Sequence, residues 1–168
     1  MTDSKVKGDS FSDHSQLTAR RDGTYWQTVK QVESEKCVFC DLRDKYIITR
    51  NDSGVLTVNI FPYIDGQLLV IPTRHLETYS EIKPKGVLGL HELILEGERL
   101  LNQVMGIDNI WLIIRDGNIS GKTVKHLHWN IMPYKEGMNT WNYDFSPPTI
   151  KPIDMAQRLR NGLKNAET

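Results

Sequence analysis

The side chains best suited to chemistry lie close together in residues 125–133, which read KHLHWNIMP. Residues 126–132 are predicted to form a β-strand, in which side chains point alternately to the two faces. One face would carry nitrogen-bearing side chains, namely His126, His128 and Asn130. The other would carry apolar side chains that pack into a core, namely Leu127, Trp129 and Ile131. An imidazole held by a hydrogen bond at one nitrogen can present the other as a nucleophile. From spacing alone, nucleophilic catalysis and a half-exposed strand without chemistry are both compatible with the pattern.

A polar, glycine-containing turn precedes this strand, and its side chains are candidates for binding phosphate. The candidates are Asn118, Ser120, Lys122 and Thr123. Hydroxyls, an ammonium group and the backbone N–H groups of a turn all donate hydrogen bonds to phosphate oxygens. The sequence therefore predicts donors for an anionic group beside a candidate nucleophile.

Cys37 and Cys40 form a Cys-x-x-Cys pair. The spacing alone is compatible with a redox pair, half of a zinc site or two unconnected thiols. A thioredoxin-like redox motif requires a βαβ context, which is not evident here. His75 and His126 would complete a Cys₂His₂ set suited to tetrahedral zinc. With four protein ligands the ion would be structural, and it would fix the strand that carries His128.

The elements that must position these residues are predicted from hydrophobic periodicity and turn residues. Five strands are expected, at residues 46–50, 55–60, 67–71, 110–114 and 126–132. One strong helix is expected from about Pro84 to Met105, where apolar residues recur every three to four positions and Gly106 is placed to end it. A short helix is expected from about Asp154 to Leu163. Because the strands flank one helix rather than alternate with helices, the predicted fold class is α+β with an antiparallel sheet.

Composition argues against several classes of protein. The 168 residues carry 21 basic and 21 acidic side chains, a balance that is unlike proteins that coat nucleic acid polymers. No stretch approaches the about 18 consecutive apolar residues of a membrane span, and the first residues lack the apolar segment of a signal peptide. Two cysteines cannot form a disulfide framework. We therefore expect a cytoplasmic protein that binds neither membranes nor nucleic acid polymers.

Two segments resemble the signature blocks of the histidine triad (HIT) superfamily. Residues 116–133 read DGNISGKTVKHLHWNIMP and are similar to the pattern His-φ-His-φ-His-φ-φ, in which φ is apolar. Residues 59–72 read NIFPYIDGQLLVIP and resemble the second block of the family. The resemblance spans roughly residues 37–135 and is to the Fhit-like branch that cleaves dinucleoside polyphosphates.

This resemblance implies an HIT-like antiparallel sheet with one long helix and a short C-terminal helix, in a homodimer. We expect a disordered tail over residues 1–23, the HIT domain over 24–145, and a C-terminal loop and short helix over 146–168. The resemblance also implies a zinc ion on the ligand set above, as in a subset of bacterial HIT proteins.

The implied activity is that of a nucleotide hydrolase or nucleotidyltransferase, with phosphorolysis as a further outcome. Its substrates would be dinucleoside polyphosphates such as diadenosine tetraphosphate, or related nucleoside phosphate esters and phosphoramidates. His128 would attack the α-phosphorus to form a nucleotidyl-histidine intermediate, which water or phosphate then releases. Asn59 would lie near the ribose or phosphate.

Two positions depart from the family pattern. Asn130 replaces the third histidine, and it can donate a hydrogen bond to phosphate but cannot deliver a proton. Arg115 stands where Fhit-like relatives have Gln; it would bring positive charge to the phosphates if it points inward, and it equally suits a solvated surface. Asn130 therefore keeps a second hypothesis open, a nucleotide-binding regulatory module with weakened catalysis. A third hypothesis is a redox or zinc-storage protein built on Cys37 and Cys40.

Overall fold

A computed structural model describes residues 13–33, 36–117, 119–139, 142 and 145–165. Its helices and strands are, in chain order, α1 (Asp13–Asp22), α2 (Thr24–Glu33), β1 (Ile47–Arg50), β2 (Gly54–Val58), β3 (Leu68–Pro72), α3 (Pro84–Met105), β4 (Ile110–Ile114), β5 (Trp129–Pro133) and α4 (Pro152–Lys164). Single turns of 3₁₀ helix lie at Asp44–Tyr46 and Tyr79–Glu81.

The five strands form one antiparallel sheet in the order β1-β2-β3-β5-β4. The tight turn between β1 and β2 is closed by Asn51, whose Oδ1 accepts hydrogen bonds from the backbone N–H groups of Ser53 and Gly54. Both β2 and β5 pair with β3, so β5, the last strand in the chain, lies between β3 and the edge strand β4. The predicted α+β class with an antiparallel sheet is confirmed.

The long helix α3 is confirmed with the predicted boundaries, and it packs against β2, β3 and β5. Pro84 occupies its first turn, where a missing N–H costs nothing, and Gly106 ends it in a left-handed conformation with φ of 66°. A Cβ on Gly97 would lie 2.7 Å from Cδ1 of Ile131, so this glycine lets the helix approach the sheet closely. The main core lies between the sheet, α3 and α4, and it contains Leu127, Trp129 and Ile131.

The N-terminal end differs from the expected disordered tail over residues 1–23. Residues 13–22 form α1, and both Gln16 and Ala19 are buried; residues 1–12 lie outside the described part of the chain. Composition alone hides this helix because its docking depends on long-range hydrogen bonds. Gln16 donates to the Tyr46 hydroxyl at 3.0 Å, and Arg21 donates to the Phe145 carbonyl at 3.1 Å.

The predicted strand over residues 126–132 begins later, at Trp129. The backbone before it hydrogen-bonds outside the ladder, since the N–H of Leu127 donates to the carbonyl of Leu76 at 2.7 Å. The short C-terminal helix starts two residues before the expected Asp154, with Pro152 in its first turn. Across the described residues, every helix is too short or too polar to cross a bilayer.

Candidate active site and metal centre

A cavity of about 230 Å³ lies on the side of the sheet from which His128 and Asn130 project. Their neighbours Leu127, Trp129 and Ile131 are in the main core, so the predicted alternation of faces holds although the strand begins late. Three parts of the chain line the cavity. The first is strands β2, β3 and β5 with the residues that follow β2 and precede β5, and the second is the cysteine loop (residues 36–43). The third is helices α1 and α2. Arg115 also lines the cavity, which places this side chain inward.

One ring nitrogen of His128 is protonated and donates a hydrogen bond, and the other is unprotonated. Its Nδ1–H donates to the carbonyl oxygen of His126 at 2.9 Å, which leaves Nε2 with its lone pair. Burial is the main cause that lowers the pKa of His128 to about 4; the hydrogen bond to the His126 carbonyl opposes the shift, and the positive charge of Arg115 adds to it. At neutral pH the ring is therefore an uncharged imidazole beside the cavity, the form a nucleophile requires.

The side chain of Asn130 is held by a second buried amide. Gln67, 2% exposed, donates from Nε2 to Oδ1 of Asn130 at 3.0 Å, and its own Oε1 accepts the backbone N–H of Tyr63 at 2.8 Å. Asn130 therefore presents Nδ2 as a donor, and this buried atom has no hydrogen-bond partner among the described residues. A buried donor without a partner costs about 1–3 kcal/mol, and a phosphate oxygen in the cavity would satisfy it.

Two of the predicted substrate-binding residues line the cavity with His128. Asn59 is buried, and its Oδ1 accepts the backbone N–H of Phe61 at 2.9 Å. Thr123 is half-buried, and its Oγ1 lies 2.9 Å from the hydroxyl oxygen of Tyr25 on α2.

Two other predicted phosphate ligands, Ser120 and Lys122, are not brought to the cavity wall. Ser120 donates its hydroxyl hydrogen to the carbonyl of Gly117 at 2.8 Å, and Lys122 donates from Nζ to the carbonyl of Glu77 at 2.5 Å. Hydrogen bonds to backbone carbonyls thus hold both side chains away from the wall. Asn118 lies outside the described residues. A role in substrate binding stays a prediction for all three.

The four predicted metal ligands do come together. The Nδ1 atom of His126 lies 3.6 Å from Sγ of both Cys37 and Cys40, and Nδ1 of His75 lies 3.2 Å from Sγ of Cys40. All four ligand atoms lie within 4.8 Å of one another. The edges of a tetrahedral Zn site with Zn–S of about 2.3 Å and Zn–N of about 2.0–2.1 Å measure about 3.4–3.8 Å. The donor types and the separations fit that ion.

The outer nitrogen of each histidine in this cluster faces a second polar group. The Nε2–H of His126 donates to the Pro72 carbonyl at 3.0 Å, and Nε2 of His75 lies 3.6 Å from Oε1 of Glu77. These partners leave both Nδ1 atoms facing the thiols, as in metal sites where the outer nitrogen is held. Burial lowers the pKa of His126, and the neighbouring His75 lowers it further, which favours the neutral, ligating form.

Phe39, between the two cysteines, connects the cluster to the cavity. Its ring packs edge-to-face on His128 with centroids 4.9 Å apart, and on His126 at 6.1 Å. The inference from sequence did not identify Phe39, Gln67, Arg20 or Tyr25 as site residues. The position of Phe39 inside Cys-x-x-Cys was the one sequence feature that could have indicated it. The other three residues reach the site through contacts between residues that are far apart in the chain.

Known proteins resemble this chain in sequence. An uncharacterised HIT-like protein of Mycoplasma genitalium is 24% identical over 136 residues, which cover 79% of this chain and 96% of the relative. The asymmetrical bis(5'-nucleosyl)-tetraphosphatase of Schizosaccharomyces pombe is 29% identical over 90 residues, or 54% of this chain and 50% of that enzyme.

A solved structure with a similar fold is that of a zinc-bound histidine triad family protein from Mycobacterium smegmatis. It superposes with a TM-score of 0.63 at 19% identity, covering 86% of this chain and 94% of that chain. The HIT domain family model matches residues 42–137, more than half of the chain. Members of that family are nucleotide hydrolases or transferases. The extent of this match shows that the chain belongs to the HIT domain family.

Proposed function

We propose that this protein is a nucleotide hydrolase or nucleotidyltransferase that works through a nucleotidyl-histidine intermediate on His128. Its substrates would be dinucleoside polyphosphates such as diadenosine tetraphosphate, or related nucleoside phosphate esters and phosphoramidates. One observation carries the proposal. The buried His128 ring lines the cavity with Nδ1–H committed to the His126 carbonyl and Nε2 unprotonated. The tetraphosphatase relative adds support for this substrate class.

The reaction would proceed in two displacements at phosphorus. In the first, the lone pair of Nε2 attacks the α-phosphorus, an N–P bond forms, and the bond to the bridging oxygen breaks with its electron pair on the leaving polyphosphate. In the second, an oxygen of water or inorganic phosphate attacks the same phosphorus, and the N–P bond breaks with its electron pair on Nε2, which regenerates the neutral imidazole. Where water attacks, its proton is released to solvent. The carbonyl of His126 stabilises the ring while it carries positive charge.

The phosphate oxygens would be bound by donors that line the cavity. We assign this role to Nδ2 of Asn130, the guanidinium of Arg115 and the hydroxyl of Thr123, which belong to residues that line the cavity. Fixed donors aimed at phosphate oxygens supply most of the stabilisation in such transfers. Asn130 has no proton to give to a leaving group. We therefore expect polyphosphate leaving groups, which depart as anions, to react faster than amines.

We further infer that Cys37, Cys40, His75 and His126 hold a zinc ion. The supporting observations are the geometry of the cluster and the zinc-bound protein of similar fold. With four protein ligands the ion would be structural and would anchor the cysteine loop to the strand end before β5.

A homodimer joined through β4 is part of the same proposal. The strand order places β4 at one edge of the sheet, and Leu112 in its middle is 48% exposed. An edge strand with an exposed apolar side chain is a surface that another chain can cover.

The decisive experiment is to trap the covalent intermediate. The protein is mixed briefly with diadenosine tetraphosphate and quenched in alkali, which preserves the N–P bond, and its peptides are mapped by mass spectrometry. We expect adenylylation of His128, and none in a His128→Gln variant. AMP formed without added phosphate would identify a hydrolase, and ADP formed only with phosphate a phosphorylase. The lack of turnover of any nucleotide ester or phosphoramidate would refute both activities.

The regulatory-module hypothesis is favoured by one observation, the amide of Asn130 where a third imidazole is expected. It predicts that nucleotides raise the melting temperature while no adenylylated peptide forms. The Asn130→His variant separates the hypotheses, because a large gain in turnover would show that the rest of the catalytic site is intact.

A further inference from the structure

Helices α1 and α2 form one wall of the cavity. The side chains that they contribute are Gln16, Arg20, Tyr25, Thr28 and Val29. These helices precede residues 42–137, which are the part of the chain that the family model matches. The wall therefore comes from outside the residues that the family model matches.

Arg20 holds this wall in place. Its guanidinium carbon lies 3.9 Å from the ring centroid of Tyr25 and 3.9 Å from that of Tyr63, so the cation is sandwiched between two aromatic faces. Its Nε–H also donates to the carbonyl of Phe61. The ring of Tyr25 packs edge-to-face on Phe61, with centroids 5.6 Å apart. These contacts join α1, α2 and the segment after β2 into one unit.

The wall reaches the phosphate-binding side of the cavity through one hydrogen bond. The hydroxyl oxygens of Tyr25 and Thr123 lie 2.9 Å apart, and Tyr25 is only 5% exposed. The distance is compatible with either direction, and because a phenol is more acidic than an aliphatic alcohol, Tyr25 is favoured as the donor and Thr123 as the acceptor. The hydrogen of the Thr123 hydroxyl is then left for an acceptor in the cavity.

We propose that Tyr25 is a positioning residue of the nucleotide site. Arg20 holds the Tyr25 ring, and the Tyr25 hydroxyl orients the Thr123 hydroxyl so that Thr123 donates to a phosphate oxygen. The proposal rests on the proposed function in one respect, that the cavity binds a nucleotide with its phosphate near Thr123. Under this proposal the N-terminal helices contribute to nucleotide binding and do not only cover the cavity.

A double-mutant cycle on nucleotide binding tests this. Titration calorimetry measures the dissociation constants of AMP and adenosine for the full chain and for Tyr25→Phe, Thr123→Val and the double variant. We expect Tyr25→Phe to weaken AMP binding about three- to tenfold and to leave adenosine binding unchanged, because only AMP carries the phosphate. In the Thr123→Val background, Tyr25→Phe should change the AMP constant by less than about twofold. AMP is replaced by whichever of GMP, CMP and UMP binds most tightly if one of these is preferred, with the matching nucleoside.

The controls separate positioning from a general effect on the wall. Gln27→Ala changes an exposed side chain of α2 that does not line the cavity, and it should leave both constants unchanged. Arg20→Met should reproduce the loss of AMP affinity. Equal effects of Tyr25→Phe in both backgrounds, equal losses for AMP and adenosine, or no loss at all would overturn the positioning role. Coupling in the cycle without turnover would uphold the inference and refute the proposed catalysis, whereas binding of none of the four nucleotides would refute both.

Discussion

The ring of His128 is hydrogen-bonded to the backbone of His126, whose own ring belongs to the metal-ligand cluster. Nδ1 of His128 lies 2.9 Å from the carbonyl oxygen of His126, and the His126 ring lies 3.6 Å from each of the two thiols. Three consecutive residues thus contain both the candidate nucleophile and a candidate metal ligand. A shift of the cluster must move the carbonyl that selects the tautomer of His128.

Removal of the metal should therefore lower both stability and activity. We expect chelation, or the Cys37→Ser variant, to lower the melting temperature by roughly 10 °C, because a structural ion contributes several kcal/mol to folding. Turnover should fall at temperatures well below the melting point. Metal analysis and a thermal melt check this, with His91→Ala, an exposed histidine on α3, as the control that keeps its zinc. Equal zinc contents in wild type and Cys37→Ser would contradict the assigned ligand set.

Truncation of Phe39 should reduce catalysis without loss of zinc. The Phe39 ring lies 4.9 Å from the His128 ring, and its removal leaves the imidazole free to tilt. We expect Phe39→Ala to lower kcat about tenfold, since small misplacements of a nucleophile are costly, and Phe39→Leu to recover part of it. Steady-state kinetics with parallel zinc analysis check the result. If the zinc content of Phe39→Ala fell together with its kcat, the effect would instead be assigned to the metal centre.

Replacement of Gln67 by Glu should reverse the polarity of Asn130. A carboxylate has no N–H to donate, so Asn130 must turn its own Nδ2 toward residue 67 and present Oδ1 to the cavity. We expect Gln67→Glu to weaken AMP binding about tenfold or more, with adenosine little affected. Calorimetry measures both ligands, and Gln27→Glu, an exposed glutamine on α2, controls for the added charge. Unchanged AMP affinity would show that Asn130 does not donate to phosphate.

Gly97 should be intolerant of any side chain, unlike Gly86 of the same helix. A Cβ at Gly97 would lie 2.7 Å from Cδ1 of Ile131 and 3.2 Å from Cδ1 of Leu56, both fully buried. Overpacking there should cost about 1–3 kcal/mol in the free energy of unfolding. A Cβ at Gly86 meets only Ile82, at 3.5 Å, so Gly86→Ala should be neutral or stabilise the helix by about 0.5 kcal/mol. Urea denaturation of both variants provides the measurement.

A charge in the middle of β4 should prevent the proposed dimer. We expect Leu112→Lys to be monomeric by analytical ultracentrifugation at concentrations where the wild type is dimeric, because the buried ammonium would have no partner. Ile153→Lys, on α4 beside the opposite edge of the sheet, is the matched control and should remain dimeric. A dimer in the Leu112→Lys variant would assign the interface to another surface.

The sequence determined the features that depend on neighbours along the chain. The period of 3.6 and the flanking Pro84 and Gly106 predicted α3, and the alternation around His128 predicted which side chains leave the core. The four candidate metal ligands were also predicted from residue type, and the structure brings them together. Such signals are local, so they can be recognised before the chain folds.

Only the tertiary structure decided which distant groups complete the site. Tyr25 meets Thr123 across 98 residues and Gln67 meets Asn130 across 63, and no local periodicity encodes either pair. Helix α1 escaped prediction for the same reason: few of its residues are apolar, and Arg20 and Arg21 hold it by contacts with residues more than 40 positions away. Contacts of this kind form only when the sheet brings separate segments together, because their free energy comes from the packed state and not from the propensity of either segment.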